Sequence, residues 1–266
     1  MNMELKLMLG VSRRLPAIKG MGLFGNILKR IYNRKPRAKE TNSVLGFDMA
    51  LEPGECVDGG LLFYPHLYDR RELDYIRSNL ASGSLFIDAG ANIGLYSLIA
   101  SKCVGSEGKV LAIEAEPYNA EKLRSNINLN SIDNIKVIQA GLSDKHEELV
   151  MNINLNGNRG GNSLISSSEN NQKGVSVSCM PLLGIIKDAG WERVDGMKID
   201  IEGFEYRVLS SFFDSAERDL YPKFLIAEVN EGYEKFGSKD LHDLFLSHGY
   251  KLMIRNGLNA IYLFNY

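Results

Sequence analysis

The succession of apolar runs and turn residues after residue 84 predicts an α/β fold, a doubly wound, right-handed and mostly parallel sheet. Three observations carry this. Strand-like and helix-like stretches alternate from residue 84 onward, the order that builds βαβ units. The first two strand-like runs each reach an acid at their end, Asp88 in "SLFIDAG" and Glu114 in "VLAIEAEP". The chain closes on "YKLMIRNGLNAIYLFNY", two strand-like runs joined through Asn256 and Gly257, which adds an antiparallel edge.

The 266 residues, 44% of them apolar and 9% aromatic, suffice for one large core. The division expected is a basic leader over residues 1–45 and a single domain over 46–266. The first forty residues hold ten Lys/Arg and two Asp/Glu, a net +8, against −10 for the remainder. A basic arm on an acidic body does not suggest a nucleic-acid groove, so no nucleic-acid partner is expected. Arg13, Arg14 and Lys19 interrupt the apolar runs, which speaks against a secretory signal or a spanning helix. "GLFGNILKRIYNRK" could rest weakly on an anionic membrane surface; the plainer reading is a leader that packs on its own domain or stays mobile. Cys56, Cys103 and Cys179 are odd in number and widely spaced. They suit neither a disulfide framework nor a metal knuckle and favour a reducing, cytoplasmic setting. Oligomeric state is left open.

In "FYPHLYDRRELD", His66 reads as an ordinary hydrogen-bonding histidine. Asp69 and Glu72 have the spacing of a capping box for the helix that follows. "NIGLYSLIASKCVG" then reads as a helix closed by Gly105, and "KVLAIEAEP" as a strand after which Pro117 opens a helix. "IKVIQAGLSD" makes a third strand. The middle, "ELVMNINLNGNRGGNSLISSSENNQKGVSVSCMPL", reads as two strands around a polar loop. The alternation resumes with "LLGIIKDAG" (helix), "DGMKIDIEG" (strand), "FEYRVLSSFFDSAERDL" (helix), "KFLIAEVN" (strand) and "KDLHDLFLSHG" (helix).

The first strand–helix turn decides the cofactor class. A phosphate-binding loop would need Gly-x4-Gly-Lys-Ser/Thr, which the chain lacks. A dinucleotide turn places a second glycine where the backbone meets the pyrophosphate, and here that position is Asn92. What stands instead is Asp88, Gly90 and Gly94, with Glu114 twenty residues beyond Gly94. A carboxylate near an ammonium or sulfonium group and another on a ribose together describe S-adenosylmethionine. The plainer alternative makes Asp88 a turn cap and Glu114 a solvated acid.

A second acidic cluster follows in "MKIDIEGFEYRVL". Asp200 and Glu202 could face the cleft. Glu205 sits in the first turn of the next helix, where the macrodipole favours an anion. Glu228 and Asn230 end the following strand. These acids could serve as base or substrate-positioning groups, hold a divalent cation such as Mg2+, or order the loops; the first use ranks ahead of the others. No metal ligand is singled out.

With these residues assembled, the chain resembles methyltransferases of the FkbM family through "FIDAGANIGLYSL", "VLAIEAEP" and "MKIDIEGFEYRVL". The last is the most family-specific stretch, and the resemblance runs from about Leu51 to the C-terminus. It implies a Rossmann-like methyltransferase sheet of seven strands in the order 3-2-1-4-5-7-6, with strand 7 antiparallel. It also implies S-adenosylmethionine as cofactor, and a hydroxyl oxygen of a carbohydrate, glycolipid or secondary metabolite as acceptor. Carried over by position, Asp88, Gly90 and Asn92 belong to the cofactor loop and Glu114 to the ribose site. Ser143 and Asp144 belong beside the adenine. Asp200 and Glu202 belong to the acidic motif. Read from the residues themselves, Asp200, Glu202 and Glu228 are the candidate catalytic set, and Arg159 in the polar loop could contact a polar or anionic acceptor or stand as a solvated cation. Many relatives carry proline directly after the ribose acid, where this chain has Ala115. The rival readings are a nicotinamide-dependent oxidoreductase on a similar sheet and a non-catalytic scaffold with a membrane-surface arm.

Overall fold

The structure is a computed structural model that describes residues 3–14, 16, 21–32, 40–152, 163–165, 174–229 and 241–265. Two helices, α1 (Met3–Ser12) and α2 (Met21–Tyr32), precede a hairpin of β1 (Glu40–Val44) and β2 (Phe47–Leu51). The hairpin turns through Leu45 and Gly46, both at positive φ, as a two-residue loop between twisted strands requires. The hairpin spans residue 45, with β1 on its N-terminal side paired along its length to β2 on the other. Helices α3 (Cys56–Phe63) and α4 (Arg70–Asn79) lead to the main sheet.

That sheet is built by β3 (Leu85–Ala89), α5 (Leu95–Val104), β4 (Lys109–Ile113), α6 (Pro117–Leu129) and β5 (Ile135–Ile138). An excursion follows through β6 (Gly141–Leu142), β7 (Glu147–Asn152), β8 (Ser163–Ile165) and β9 (Gly174–Met180). The chain returns with α7 (Leu182–Asp188), β10 (Gly196–Ile199), α8 (Glu205–Ser215), β11 (Phe224–Glu228), α9 (Leu241–Ser247), β12 (Tyr250–Asn256) and β13 (Asn259–Phe264).

Among the described residues the main sheet has seven strands in the order β12-β13-β11-β10-β3-β4-β5. Strand β13 is antiparallel to both neighbours, and the other pairings are parallel. Numbered along the chain, this is the expected order 3-2-1-4-5-7-6. Both faces are covered, so strand residues alternate between two cores. Ile87, Leu111 and Leu225 pack with α7, α8 and α9; Phe86, Val110 and Phe224 pack with the α3–α6 side. Burial on both faces explains why these strands read as unbroken apolar runs.

The polar middle forms more than the two strands expected. Strands β7 and β9 pair antiparallel, β8 adds to β7, and β6 runs parallel to β9, giving a separate four-stranded sheet. Arg159 and most of the loop around it, and Asn230, lie outside the described residues.

The capping box expected for α4 is not formed. Asp69 is in the left-handed region (φ 42°, ψ 37°) and its side chain does not cap the helix. Its Oδ2 accepts from the Tyr96 hydroxyl at 3.1 Å, while the fully buried Glu72 accepts from Asn256 Nδ2 of the C-terminal hairpin. Both acids are held by residues remote in sequence, which the spacing of a local motif cannot reveal.

Candidate active site

The carboxyl ends of β3, β4, β10 and β11 open into one cavity of about 240 Å3, where a doubly wound sheet binds its ligand. Its floor is the turn after β3. Gly90 (φ 76°) and Asn92 (φ 50°) are left-handed, and the Gly90 and Ala91 amides both donate to the Ile113 carbonyl at 2.9 Å. A Cβ on Gly90 would stand 1.9 Å from the Asp200 carbonyl oxygen. The exits of β3 and β10 therefore close on each other at a point only glycine permits.

Glu114 is the first residue past β4. Its Oε2 accepts from the Asn92 amide at 2.7 Å and its Oε1 from the Glu116 amide at 2.9 Å. The asparagine that replaces a dinucleotide glycine thus uses its backbone to orient the acid. Burial pushes the Glu114 carboxyl up to about 7, against the opposing pull of the two amides. Each oxygen keeps a lone pair for a ligand hydroxyl. Glu116 caps α6, accepting from the Asn119 amide at 2.7 Å.

Asp88 and Lys198 are register partners on the parallel strands β3 and β10. The Lys198 ammonium donates to the Gly90 carbonyl at 2.7 Å, stands 4.0 Å from Asp88 Oδ1 and 3.6 Å from Asp200 Oδ2, and lies over the Tyr96 ring. Burial alone would lower this ammonium, but Asp200, Asp88, Glu114 and Asp69 together hold it above its ordinary value. Asp88 is fully buried and accepts from Ser97 Oγ at 2.6 Å; burial raises its carboxyl, and Lys198 works against that.

Asp88 is accordingly not on the cavity wall. The expectation that it faces a ligand ammonium directly is corrected: it stands behind Lys198, because both face the same core side of adjacent strands. Ser143 and Asp144 are also absent from the wall, which on that side is formed by Ala140, Gly141 and Leu142. Ser143 Oγ turns toward Glu147, and Asp144 accepts from Arg207 Nε at 2.8 Å. The hydrogen bond from Arg207 holds the Asp144 carboxyl below its ordinary value.

Gly90, Asn92, Glu114, Asp200, Glu202 and Glu228 all line the cavity. Glu202, itself left-handed at φ 56°, has its carboxyl raised to about 7 by burial first and then by Asp200 and Glu228. Glu205 is structural, accepting from the amides of Ile201 (2.6 Å) and Gly203 (2.9 Å). Among the lining groups that escaped sequence reasoning are Lys198, Tyr96, Asp69 and Glu116. For Lys198 a signal existed, since a residue two before Asp200 on a strand shares its face. Asp69 is pushed up to about 6, by burial first and then by Glu72.

The profile described as the Methyltransferase FkbM domain matches residues 88–252. The chain belongs to the FkbM methyltransferase family. Among curated relatives, this FkbM protein is 30% identical over 179 residues to methyltransferase sdnD of Sordaria araneosa. That match takes in 56% of this chain and 65% of the relative, so the chain spans just under two thirds of its length. A stretch of 69 residues, 26% of this chain and 36% of the other, is 35% identical to a probable cobalt-precorrin-6B C(15)-methyltransferase (decarboxylating) of Sulfolobus acidocaldarius. The solved precorrin-6y C5,15-methyltransferase of Geobacter metallireducens is 13% identical with a TM-score of 0.46, over 76% of this chain and 90% of that one. None of these likenesses bears on the acceptor of the FkbM protein.

In this FkbM domain the cavity wall carries six carboxyl groups (Asp69, Glu114, Glu116, Asp200, Glu202 and Glu228) and a single cationic side chain, Lys198, among the described residues. No three His, Cys, Asp or Glu side chains among those residues are arranged to hold a metal ion, so the Mg2+ alternative for the acids around Asp200 finds no support. His66 lies in the short 3-10 turn Pro65–Leu67 and not on the wall.

Proposed function

We propose that this FkbM-family protein transfers the methyl group of S-adenosylmethionine to a hydroxyl oxygen of a carbohydrate, glycolipid or secondary-metabolite acceptor. The observation that carries the reading is the charge of the cavity. Among the described residues six carboxyls face one ammonium, which already donates to the Gly90 carbonyl. A diphosphate would meet repulsion there, whereas a nucleoside with a positive centre and no phosphate is favoured. This argues against a nicotinamide dinucleotide.

S-adenosylmethionine, when bound, supplies an electrophilic methyl carbon on a sulfonium. Glu114 would accept the ribose hydroxyls, held in orientation by the Asn92 and Glu116 amides. Ala140, Gly141, Leu142 and Met151 offer a small apolar surface for the adenine. At the other end Asp200 and Glu202 would align the acceptor hydroxyl and take its proton as the oxygen–carbon bond forms and the carbon–sulfur bond breaks. A positioned carboxylate base contributes about 10²–10⁴-fold, and alignment of oxygen, carbon and sulfur supplies most of the remainder. Glu228 stands beside them and raises the Glu202 carboxyl.

Calorimetric titration with S-adenosylhomocysteine and with NAD+ tests the cofactor. Binding of the former alone is expected; binding of NAD+ without the homocysteine nucleoside overturns the reading. Incubation with methyl-labelled S-adenosylmethionine and separate glycan, lipid and small-molecule extracts identifies the acceptor. Label released from the product by ester or amine chemistry, rather than held as an ether, overturns hydroxyl methylation.

A further inference from the structure

The basic leader is not a loose arm. On α1, Leu5, Leu9 and Ser12 are buried, and Arg13 just beyond donates to the Leu62 and Ser43 carbonyls at 3.0 Å. On α2, buried Tyr32 packs edge-on against Phe63, and Lys29 donates to the Glu55 and Cys56 carbonyls at 3.0 Å. One side of each helix is therefore spent on the domain.

The other sides have a consistent composition. On α1 the exposed positions are Lys6, Leu7, Gly10 and Val11, with Arg14 one turn on, the spacing of a single helical stripe. On α2 they are Asn26, Ile27, Arg30 and Ile31. Leu7 is 72% exposed, Val11 48%, Ile27 51% and Ile31 39%. Among the described side chains these stripes thus present four large aliphatic groups and three cations and no carboxylate. Aliphatic groups interleaved with cations suit the boundary between lipid headgroups and acyl chains. A nucleic acid would leave the aliphatics without a partner, and a second copy would set like charges against each other across a two-fold axis.

We infer that the outer faces of α1 and α2 form a docking surface for an anionic lipid bilayer, held rigidly to the methyltransferase domain. The rest of the chain carries a net −10, so an anionic surface also orients the molecule with these helices toward it. Insertion is superficial, since no described helix is long and apolar enough to cross a membrane.

The test is co-sedimentation of the full chain with vesicles of phosphatidylcholine alone and of equal parts phosphatidylcholine and phosphatidylglycerol. Binding to the anionic vesicles is expected, weakened by salt and at least tenfold weaker on the neutral ones. Lys6→Gln, Arg14→Gln and Arg30→Gln should each weaken it about fivefold, and the pair Leu7→Gln with Ile27→Gln about tenfold or more. S-adenosylhomocysteine affinity should be unchanged in all of them, which shows that the variants fold and separates this surface from the cavity. No binding by the wild-type chain, equal binding to both vesicle types, or undiminished binding by the variants overturns the inference. So does a dimer that the Leu7/Ile27 pair disperses, because a second copy would then be the occupant.

Discussion

Lys198 and Asp88 lie side by side on adjacent parallel strands, the ammonium 4.0 Å from Asp88 Oδ1 and hydrogen-bonded to the Gly90 carbonyl at 2.7 Å. One cation therefore stands against a sealed carboxylate, pins the turn that floors the cavity, and supplies the cavity's positive charge among the described residues.

Removing that cation leaves Asp88 without compensation in a site with no exposure to solvent. Lys198→Met should destabilise the protein by roughly 3 kcal/mol, read as a lower urea midpoint. Adding Asp88→Asn should restore more than half of the loss, since the uncompensated charge is then gone. Strictly additive losses in the double variant would show that the two groups are not coupled.

Glu114 ties cofactor affinity to pH. Its carboxyl is held near 7 by burial, and its ionised form is the better acceptor for two ribose hydroxyls. S-adenosylhomocysteine affinity should fall about tenfold between pH 8 and pH 6. Glu114→Gln should bind more weakly at pH 8 and show a flat profile over the same range. A wild-type profile that is flat would remove Glu114 from the binding site.

Stability should respond in the opposite sense. The Glu114 and Glu202 carboxyls are both raised from an ordinary 4.5 to about 7, so the folded state holds their protons more tightly than the unfolded chain does. The resulting stabilisation is complete below about 4.5 and lost as pH rises through 7. Ligand-free protein should melt on the order of 3 °C lower at pH 8 than at pH 5.5, mostly through buried Glu114, because Glu202 is exposed and its share is screened by solvent. Glu114→Gln alone should lose most of that difference. Calorimetric scans at the two pH values provide the measurement.

Gly90→Ala places a Cβ 1.9 Å from a backbone oxygen, at a residue with φ 76°. Neither the Asp200 carbonyl nor the left-handed turn can yield without separating the exits of β3 and β10. The variant should lose at least about 2 kcal/mol of stability and bind S-adenosylhomocysteine at least tenfold more weakly. Gly94→Ala offers a contrast, because its Cβ would meet Leu123 Cδ1, the end of a flexible side chain. Equal losses in the two variants would show that strain of the turn, rather than closure on Asp200, governs this position.

Much of this was open to a reading of the chain. The strand order 3-2-1-4-5-7-6 came only with the resemblance to the FkbM family. The alternation that builds a parallel sheet, the edge hairpin and the acids Glu114, Asp200, Glu202 and Glu228 follow from local patterns: apolar runs, turn residues, and acids placed where strands end. Such signals survive in one dimension because strand and helix periods are set by neighbours a few residues apart. The pairing of charges is different. Asp69 and Glu72 have the spacing of a helix cap yet are claimed by Tyr96 and Asn256; Asp144, expected beside the adenine, is held by Arg207.

Linear order thus settled which acids end which strands, while folding alone chose which of them see the cavity. Asp88 ends the first strand as plainly as Glu114 follows the second, but its side chain is level with Lys198 across β3 and β10 and faces the core. The partner of a charge is set by strand register and helix packing between residues far apart in the chain, and in a low-dielectric interior those partners determine whether a carboxylate is spent on the scaffold or left for a ligand.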